Sequence, residues 1–485
     1  MKNYLFLSAI ATALVLVSCD VDDFTGGPKP PTGQIEFKNH SVSPVLLQTT
    51  SEFSDIEIYN ILSSEDTYIP NFTYGSMADG AGLLRNKNGT FTLLNNIEAD
   101  YSVARITFDE TFKPVKGEHI LNAVATANTA QCSGSLITPS VHGFGPLYFS
   151  GGEWGGNSKG VFATDPFKDA AAASVPRMLP AMGQWSTENA VALNRRAYPG
   201  KTVVFIGDDN SNNEIPSGQL GMYVGRTGDL DGGKLYGLKV TAPNITYEVD
   251  MKEGIEYDME FVELLEKDLD LLDAEAKEKG VMGFSRLEDL DWRRGSKSNN
   301  QELYFAVTGR EKPGLIGKGT LAGRIYKVIL NPSDPSGPGK IVCVLDGDLE
   351  GGKAEAFHSP DNILVTENYA YIQEDPNGIS KPAANHYARL YQYDLNTGAL
   401  KTVLECDQVK AASMGYGSAD RTWELTGMID ISETIGVDET FLLITQNHGW
   451  ERADGTPFTD PNANPDLANS RKEGSMLFVI RGLER

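Results

Sequence analysis

The chain has 485 residues, a net charge of −24 and an isoelectric point near 4.7. This acidity argues against nucleic acid and anionic membranes as partners, because phosphate-rich surfaces attract basic proteins. Forty per cent of the residues are hydrophobic, enough for a sizeable core, and the length allows one large all-β unit.

Residues 1–18 have the pattern of a lipoprotein signal peptide. Lys2 precedes an apolar run over residues 4–17, which is short for a membrane-spanning helix. The run ends in Leu16-Val-Ser-Cys19, which looks like a bacterial lipobox and predicts lipidation of Cys19. The alternative is a periplasmic protein with an incidental cysteine.

The segment that follows predicts a tether and a location. Residues 20–23 are acidic, which resembles the export signal of surface lipoproteins in the Bacteroidetes. Residues 19–33 are rich in Pro and Gly, as expected for a linker. We therefore expect a protein anchored by lipid to the outer membrane of the cell envelope, either periplasmic or surface-exposed, with no other membrane contact.

Residues 34–485 are predicted to form an all-β domain. Short runs with apolar or alternating patterns are separated by Gly, Asn and Asp turns. The predicted strands are residues 35–37, 54–59, 90–94, 102–108, 202–206, 303–307, 323–330, 390–394, 441–445 and 475–480. A weak repeat, in which a Leu-Tyr-Phe strand is followed by a run such as Arg-Ile-Tyr-Lys-Val, favours a β-propeller, and we expect six blades.

One segment, residues 256–280, has apolar residues at helical spacing among many charges, and Gly280 is a stop signal. We predict a helical insertion over one end of the propeller, with packing as its simplest role. Residues 167–178 predict a second short helix or loop.

The cysteines give no zinc or disulfide pattern. Besides Cys19 there are Cys132, Cys343 and Cys406, an odd number without a Cys-x-x-Cys motif. One disulfide stays open, and Cys343 has the pattern of a buried strand residue.

Two acidic stretches carry the candidate chemistry. Residues 284–292 contain Arg286 and three acids, and residues 358–375 contain a strand-like run that begins at Asp361 and ends in two acids. Hard cations such as Ca²⁺ take carboxylate and amide oxygens, and Arg binds phosphate oxygens as a planar fork. The alternative is that these acids belong to ordinary turns.

Further stretches place an acid or amide at the end of an apolar run, where the strands of a propeller converge on the central channel. They are residues 95–98, 132–139 with 146–153, 183–189, 203–209, 424–427 and 445–448. Such side chains can share one site although they are distant in sequence.

Taken in order, these stretches resemble the PhoX-type alkaline phosphatases from about Leu93 to the C-terminus. The family's Arg-x-Glu-Asp element matches residues 286–289, and its strand that ends in two acids matches residues 206–209. Its Ser-Pro-Asp-Asn motif, with the strand and acids that follow, matches residues 359–375. Departures from the family pattern are Ile97 and Thr187 for His, Gln184 for Arg, Gly151 for Cys and Gly152 for Glu.

The resemblance implies a metal-dependent phosphomonoesterase that acts on a small phosphate monoester, and we expect a monomer. It implies several calcium ions together with iron, although the loss of a thiolate at Gly151 argues against iron unless Cys132 points inward. It assigns Arg286 as the phosphate clamp, and Arg286 and Glu288 as the catalytic candidates. The implied metal ligands are Glu153, Glu188, Asp208, Asp209, Glu288, Asp289 and Glu374, with Asp361, Asn362, Asp375 and Glu98 as further candidates, including for a structural Ca²⁺.

Two other functions fit the same sequence. One is a non-catalytic lipoprotein whose propeller uses calcium for stability and binds a partner or polymer. The other is a propeller lactonase, in which one Ca²⁺ polarises a carbonyl. Other hydrolases find little support, because the chain has neither a Gly-x-Ser-x-Gly elbow nor a His-Glu-x-x-His motif, and only six histidines.

Overall fold

The computed structural model describes residues 35–376, 378–467 and 472–485. The predicted signal peptide, lipidated Cys19 and tether lie outside these ranges. The described residues form an all-β protein with a propeller-like arrangement of sheets. The longest helix has eleven residues, and none of the described helices is long and apolar enough to cross a membrane.

The strands follow each other closely along the chain. In order they are β1 (Leu47–Thr49), β2 (Glu57–Ser63), β3 (Ala78–Arg85), β4 (Phe91–Ile97), β5 (Ser102–Phe108), β6 (Pro114–Leu121), β7 (Thr129–Ile137), β8 (Leu147–Gly155), β9 (Gly160–Thr164), β10 (Thr187–Ala192), β11 (Lys201–Asp208), β12 (Leu220–Arg226), β13 (Lys234–Val240), β14 (Glu256–Leu264), β15 (Leu287–Trp292), β16 (Glu302–Val307), β17 (Arg324–Ile329), β18 (Gly339–Asp346), β19 (Pro360–Val365), β20 (Tyr369–Glu374), β21 (Arg389–Asp394), β22 (Leu400–Cys406), β23 (Glu424–Asp430), β24 (Thr440–Asn447) and β25 (Gly474–Arg481). The α-helices are α1 (Pro139–His142), α2 (Leu269–Lys279), α3 (Gln408–Ser413) and α4 (Ser432–Ile435).

Hydrogen bonds group these strands into five antiparallel sheets. Four have three to five strands, in the orders β3-β4-β5-β6, β7-β8-β9, β1-β22-β21-β20-β19 and β2-β25-β24-β23. The fifth has nine strands, β10-β11-β12-β13-β14-β18-β17-β16-β15, and β14 joins its two halves. The sheet β2-β25-β24-β23 pairs an early strand with the C-terminal strand and so joins the two ends of the domain.

Six strands, which we call the inner strands, surround the axis of the molecule. They are β3, β7, β10, β15, β19 and β23, and each packs against the next until β23 returns to β3. The apolar core lies farther out, between neighbouring sheets, where Trp185 for example packs in a cluster with Phe149 and Leu235. The inner strands instead present many buried polar residues to the axis.

Every inner strand is irregular at the same place in its pairing with the next strand of its sheet. The pairing skips two residues between Ala78 and Ala81, Gln131 and Gly134, Thr187 and Ala190, Leu287 and Leu290, Pro360 and Ile363, and Thr426 and Ile429. β-Bulges of this kind redirect side chains and are common beside functional sites. The skipped pairs therefore define one ring of positions around the axis, which we call the bulge ring.

The predicted helix over residues 256–280 is wrong in its first half. Residues 256–264 form β14, in which Met259 and Phe261 are buried at the two-residue spacing of a strand, and which is paired on both sides. The helix α2 begins only at Leu269. It ends at Lys279, and Gly280 adopts the left-handed conformation expected of a helix stop, with φ of 76°.

The predicted strand over residues 35–37 is wrong, because these residues form no strand. Residues 167–178 form a loop with a short 3₁₀ helix at Ala170–Ala172, in agreement with the prediction of a short helix or loop. Cys132, Cys343 and Cys406 are all buried free thiols, so no disulfide joins them. Cys343 lies in β18, as its sequence pattern indicates.

Candidate metal centre

The bulge ring supplies five potential metal ligands. At five of the six bulges the first skipped residue carries an acid or a thiol, and all five of these side chains are buried. These residues are Asp79, Cys132, Glu188, Glu288 and Asp361. The sixth bulge has Gly427 at this position, where an added Cβ would lie 2.4 Å from the carbonyl oxygen of Asp79.

These side chains, with two more from neighbouring loops and strands, form three overlapping groups. Within each group, one donor atom per residue lies within 4.8 Å of the others. The groups are Asp79, Glu98 and Cys132; Cys132, Glu153 and Glu188; and Glu188, Glu288 and Asp361. Because Cys132 and Glu188 each belong to two groups, the seven residues form one continuous cluster at the axis.

Hydrogen bonds hold the carboxylates of the cluster in place. Glu98 accepts bonds from Trp154 Nε1 and from Gln446 Nε2, both at 2.6 Å. The Oε1 atom of Glu188 accepts a bond from the backbone N–H of Ser133 at 3.1 Å. A carboxylate has four lone-pair sites, so these bonds orient the groups and leave capacity for a cation.

Electrostatics makes the cluster unfavourable without cations. Burial, and then the charge of Glu98, raises the pKa of Asp79 to about 8. Burial and neighbouring acids also raise the pKa values of Glu153, Glu188 and Asp361 well above the usual range. Buried like charges at this spacing cannot all ionise unless cations lie among them. The donor set therefore fits hard cations.

Cys132 points into the cluster. Its Sγ atom lies 2.8 Å from Oε2 of Glu153. Burial, followed by the charge of Glu153, raises the pKa of the thiol well above its usual value. A bound transition metal reverses that preference, because thiolate is the form that binds metal. The inward position that sequence analysis required of Cys132 is thus observed.

Position 151 accepts only glycine, for a steric reason. A Cβ atom at this position would lie 2.1 Å from the carbonyl oxygen of Glu188. Real Cβ atoms do not approach backbone oxygen so closely, so a cysteine at position 151 does not fit this backbone. Of positions 132 and 151, it is therefore Cys132 that supplies the cluster with a thiol.

Arg286 lies at the edge of the cluster. Its Nε and Nη2 atoms each lie 3.1 Å from a carboxylate oxygen of Asp209, and Nη2 lies 2.5 Å from Oε1 of Glu288. Burial raises the pKa of Asp209, but the guanidinium outweighs it and holds that pKa below its ordinary value. Arg286 directly precedes β15 and has a left-handed backbone, with φ of 65°, which is uncommon for a non-glycine residue and clusters at functional sites.

Three more side chains extend the cluster toward solvent. The charge of Asp375 raises the pKa values of Asp361 and Glu424 after burial, so Asp375 lies close to both. His448 lies 3.7 Å from Oε2 of Glu424 and 3.3 Å from Oε2 of Glu473. Burial lowers the pKa of His448, but Glu473 outweighs it and the pKa is raised.

Asp289 and Asn362 occupy the second positions of their bulges and link neighbouring inner strands. Asp289 accepts bonds from Asn189 Nδ2 at 2.6 Å and from the backbone N–H of Ile363 at 3.0 Å. Asn362 donates to Ser133 Oγ at 2.6 Å. These bonds cross-link neighbouring inner strands, and the assignment of both residues as metal ligands stays a prediction from the sequence.

Asp208 and Glu374 also lie outside the cluster. The Oδ1 atom of Asp208 accepts the backbone N–H of Ser186 at 2.9 Å. Glu374 is fully buried and accepts the N–H groups of His358 and Arg389, at 2.7 and 2.9 Å. Both carboxylates accept hydrogen bonds from loop backbone, and their assignment as metal ligands stays a prediction from the sequence.

Sequence reasoning missed four members of the site. Asp79 and Glu424 were not selected, Cys132 was considered only conditionally, and His448 was seen only as part of a strand end. The missed signal is a pair at the bulges of five inner strands, in which a potential ligand precedes a small or polar residue, as in Asp79-Gly80 and Cys132-Ser133.

Comparison with solved structures supports the fold. The structure described as "Pseudomonas fluorescens PhoX in complex with vanadate, a transition state analogue" superposes with a TM-score of 0.62 at 14% identity, covering 92% of this chain and 98% of that chain. At this identity the likeness shows a shared fold. The AfRom2 CNH domain is less similar, with 10% identity, coverage of 88% of this chain and 100% of that chain, and a TM-score of 0.36. No family model and no curated protein matches the chain.

Proposed function

We propose that the protein is a metal-dependent phosphomonoesterase of the PhoX type. The observation that carries the proposal is the buried cluster of acids and a thiol on the bulge ring, with one guanidinium at its edge. The fold is shared with a protein solved with vanadate, described as a transition state analogue. Cations among acids, next to an arginine, form a site for an anionic ester.

The residues that would hold the metals are those of the three overlapping groups. Their carboxylates suit several Ca²⁺ ions, and the Cys132 thiolate suits a transition metal such as iron. When bound, the ions would polarise the phosphoryl group and lower the pKa of water. The protein itself fixes these carboxylates and the thiol on the bulge ring and shields them from solvent.

Arg286 would bind the phosphate oxygens of the ester. Asp209 holds one edge of the guanidinium, which fixes the direction of the planar group. Within the described residues Nη1 of Arg286 has no hydrogen bond, and the side chain is 19% exposed, so this donor is open to a ligand. A fork held in this way matches the geometry of a tetrahedral oxyanion.

A non-catalytic calcium-stabilised propeller that binds a partner or polymer is the second candidate. This alternative is favoured by the ion pairs of Arg286, because its Nε and Nη2 atoms already contact the carboxylates of Asp209 and Glu288. In this alternative Arg286 neutralises part of the acidic cluster, and the metals act only on stability.

The test is hydrolysis of p-nitrophenyl phosphate by residues 34–485, first with chelator and then after resupply of Ca²⁺, with and without Fe³⁺. The phosphatase predicts activity that is lost on chelation and returns with metal. Absence of turnover under every metal, together with a melting temperature that calcium raises, would overturn the phosphatase for simple monoesters and support the binding propeller.

We also infer that the propeller has six blades. The nine-stranded sheet counts as two blades, β10-β11-β12-β13 and β15-β16-β17-β18, joined by β14. The inference is supported by the six inner strands, each of which carries one bulge at the equivalent place.

We propose that the protein is a lipid-anchored monomer at the outer membrane, in keeping with Leu16-Val-Ser-Cys19. The substrate would then be a small phosphate monoester in the envelope or outside the cell. Substituting Cys19→Ser should move the protein from the membrane fraction to the soluble fraction without changing its activity. Retention in the membrane fraction would contradict lipidation at this cysteine.

A further inference from the structure

A cavity of about 1150 Å³ opens at the end of the inner strands that lies away from the metal cluster. Its lining comes from the later residues of these strands, such as Arg85 of β3, whereas Asp79 of the metal cluster lies near the start of β3. Six residues of strand separate the two side chains, or about 20 Å at roughly 3.3 Å per residue. The cavity is therefore a separate site from the metal cluster.

A layer of hydrogen bonds separates the cavity from the cluster. It contains the bond from Asn189 to Asp289 at 2.6 Å, the bond from Ile363 N–H to Asp289 at 3.0 Å, and the bond from Asn362 to Ser133 at 2.6 Å. Asn189, Asp289 and Ile363 line the cavity and so belong to its floor.

The cavity is lined by apolar and polar side chains in similar measure. The apolar part of the lining includes one residue from each of the six inner strands, namely Leu83, Leu136, Val191, Trp292, Val365 and Met428. Cavities that combine apolar lining with polar groups are typical small-molecule sites.

Asp291 and Asp430, two acids of the cavity lining, already have basic partners. Asp291 is paired with Arg294 and accepts the backbone N–H of Val365 at 2.8 Å. Asp430 accepts a bond from Arg485 Nε at 2.6 Å. Two more acids, Glu433 and Glu367, stand at exposed positions of the lining, and Glu433 lies 3.3 Å from Arg485.

Arg85, by contrast, has no counterion among the described residues, and its side chain is largely covered by the cavity lining. It is 9% exposed, and within the described residues it makes neither a hydrogen bond nor an ion pair, while its Nε atom is fully buried. Burial lowers its pKa. A charge that is removed from water without a partner destabilises a protein unless a bound ion or ligand of opposite charge neutralises it. Lys87 and Arg196 add positive charge at exposed positions of the same lining.

We propose that this cavity binds a small organic anion, with the acidic head on Arg85 and an apolar body against the walls. The planar guanidinium suits a carboxylate, sulfonate or phosphate head group. Because the chain has a net charge of −24, most of its surface repels anions. An arginine without a counterion inside a cavity is therefore a localised site for an anion. This proposal is independent of the phosphatase reaction.

The test uses anilinonaphthalene sulfonate as a fluorescent probe, with hexanesulfonate as an anionic competitor and hexanol as its neutral match. In wild type we expect saturable binding that hexanesulfonate displaces and hexanol displaces far less. Arg85→Met should weaken probe binding about tenfold or more, since a charge-assisted bond is lost. The same variant should keep its p-nitrophenyl phosphate activity and show an equal or higher melting temperature without ligand.

Arg226→Met is the matched control, because Arg226 is exposed at the end of β12 and is not among the residues that line the cavity. It should bind the probe as wild type does. Equal affinity in wild type and Arg85→Met, or displacement by hexanol as effective as by hexanesulfonate, would overturn the proposal. Saturable binding that depends on Arg85 supports it, whichever acidic head group proves to bind best.

Discussion

The residues of the candidate site divide by their place within each bulge. First positions such as Asp79 and Glu188 point into the cluster, and second positions such as Asn189 and Asp289 bond to neighbouring strands. Sequence analysis selected Glu288 and Asp289 together, because adjacent acids look alike in a sequence. Which of two neighbours faces the axis depends on the bulge, and a one-residue shift of register reverses the direction of a side chain.

Arg286→Lys should lower kcat/KM for p-nitrophenyl phosphate about 100-fold if the guanidinium binds the phosphoryl oxygens, because an ammonium group cannot supply a planar fork. Steady-state kinetics with saturating metal measures this. Arg226→Lys, at an exposed position, should leave kcat/KM unchanged. A loss of melting temperature with full activity in Arg286→Lys would instead indicate a purely structural role.

Cys132→Ser should reduce binding of iron while leaving calcium binding largely intact, since thiolate selects transition metals and Ca²⁺ prefers oxygen. Elemental analysis of protein loaded with both metals measures the change. Cys343→Ser is the control, because Cys343 is buried in β18 and absent from the metal-binding groups. That variant should lose stability and keep its metals; equal iron content in both variants would contradict the assignment of Cys132.

At the scale of elements, the outer strands could be predicted and the inner strands mostly could not. The predicted strand over residues 102–108 matches β5, and the run at residues 202–206 lies within β11. The ten predicted strands include none of the inner strands, although a strand-like run from Asp361 was recognised. Inner strands carry Gly and polar residues at their bulges, which break the apolar pattern on which such predictions depend.

The close approach of Gly151 to the inner strand β10 gives a prediction at this scale. Gly151→Ala should destabilise the protein by about 1–3 kcal/mol, the usual cost of overpacking, and should weaken metal binding by displacing Glu188. Thermal melting and calcium titration measure the two effects. Gly339→Ala is the control, since its Cβ would lie 2.5 Å from the carbonyl oxygen of Ile329 in an outer strand. It should lose stability without losing calcium affinity.

At the scale of the whole molecule, the all-β class and the propeller arrangement followed from the spacing of strands and turns. The metal cluster did not, because its members come from strands that are far apart in sequence and meet only when the inner strands close around the axis. Asp79 and Asp361 are separated by most of the domain, yet each lies on the bulge ring. The ordered resemblance to a known family brought several of these residues together, but it could not identify Asp79.

The cluster should make stability depend on pH in opposite ways with and without metal. A carboxyl whose pKa is raised by folding, such as Asp79 at about 8, stabilises the protein at low pH. That contribution is lost as pH rises from the unfolded value of 3.8 through about 8. The chelated protein should therefore melt at lower temperature at pH 9 than at pH 6.

With saturating calcium this trend should disappear or reverse, because metal binding requires ionised ligands and is stronger at higher pH. Melting curves across this pH range, in chelator and in calcium, provide the measurement. Identical pH profiles in the two conditions would show that calcium does not bind the acids of the cluster.

We expect the bulge ring to hold metal ions, and the most direct test is the metal content of wild type and Glu188→Gln after loading with Ca²⁺ and Fe³⁺. Glu188 belongs to two of the three groups, so wild type should retain more than one ion per chain and the variant should lose ions from both. Glu405→Gln, which alters a partly exposed ion pair with Arg389, is the matched control and should retain the wild-type content. Equal metal content in Glu188→Gln and wild type, or a wild type that retains no metal, would show that the bulge ring is not a metal centre.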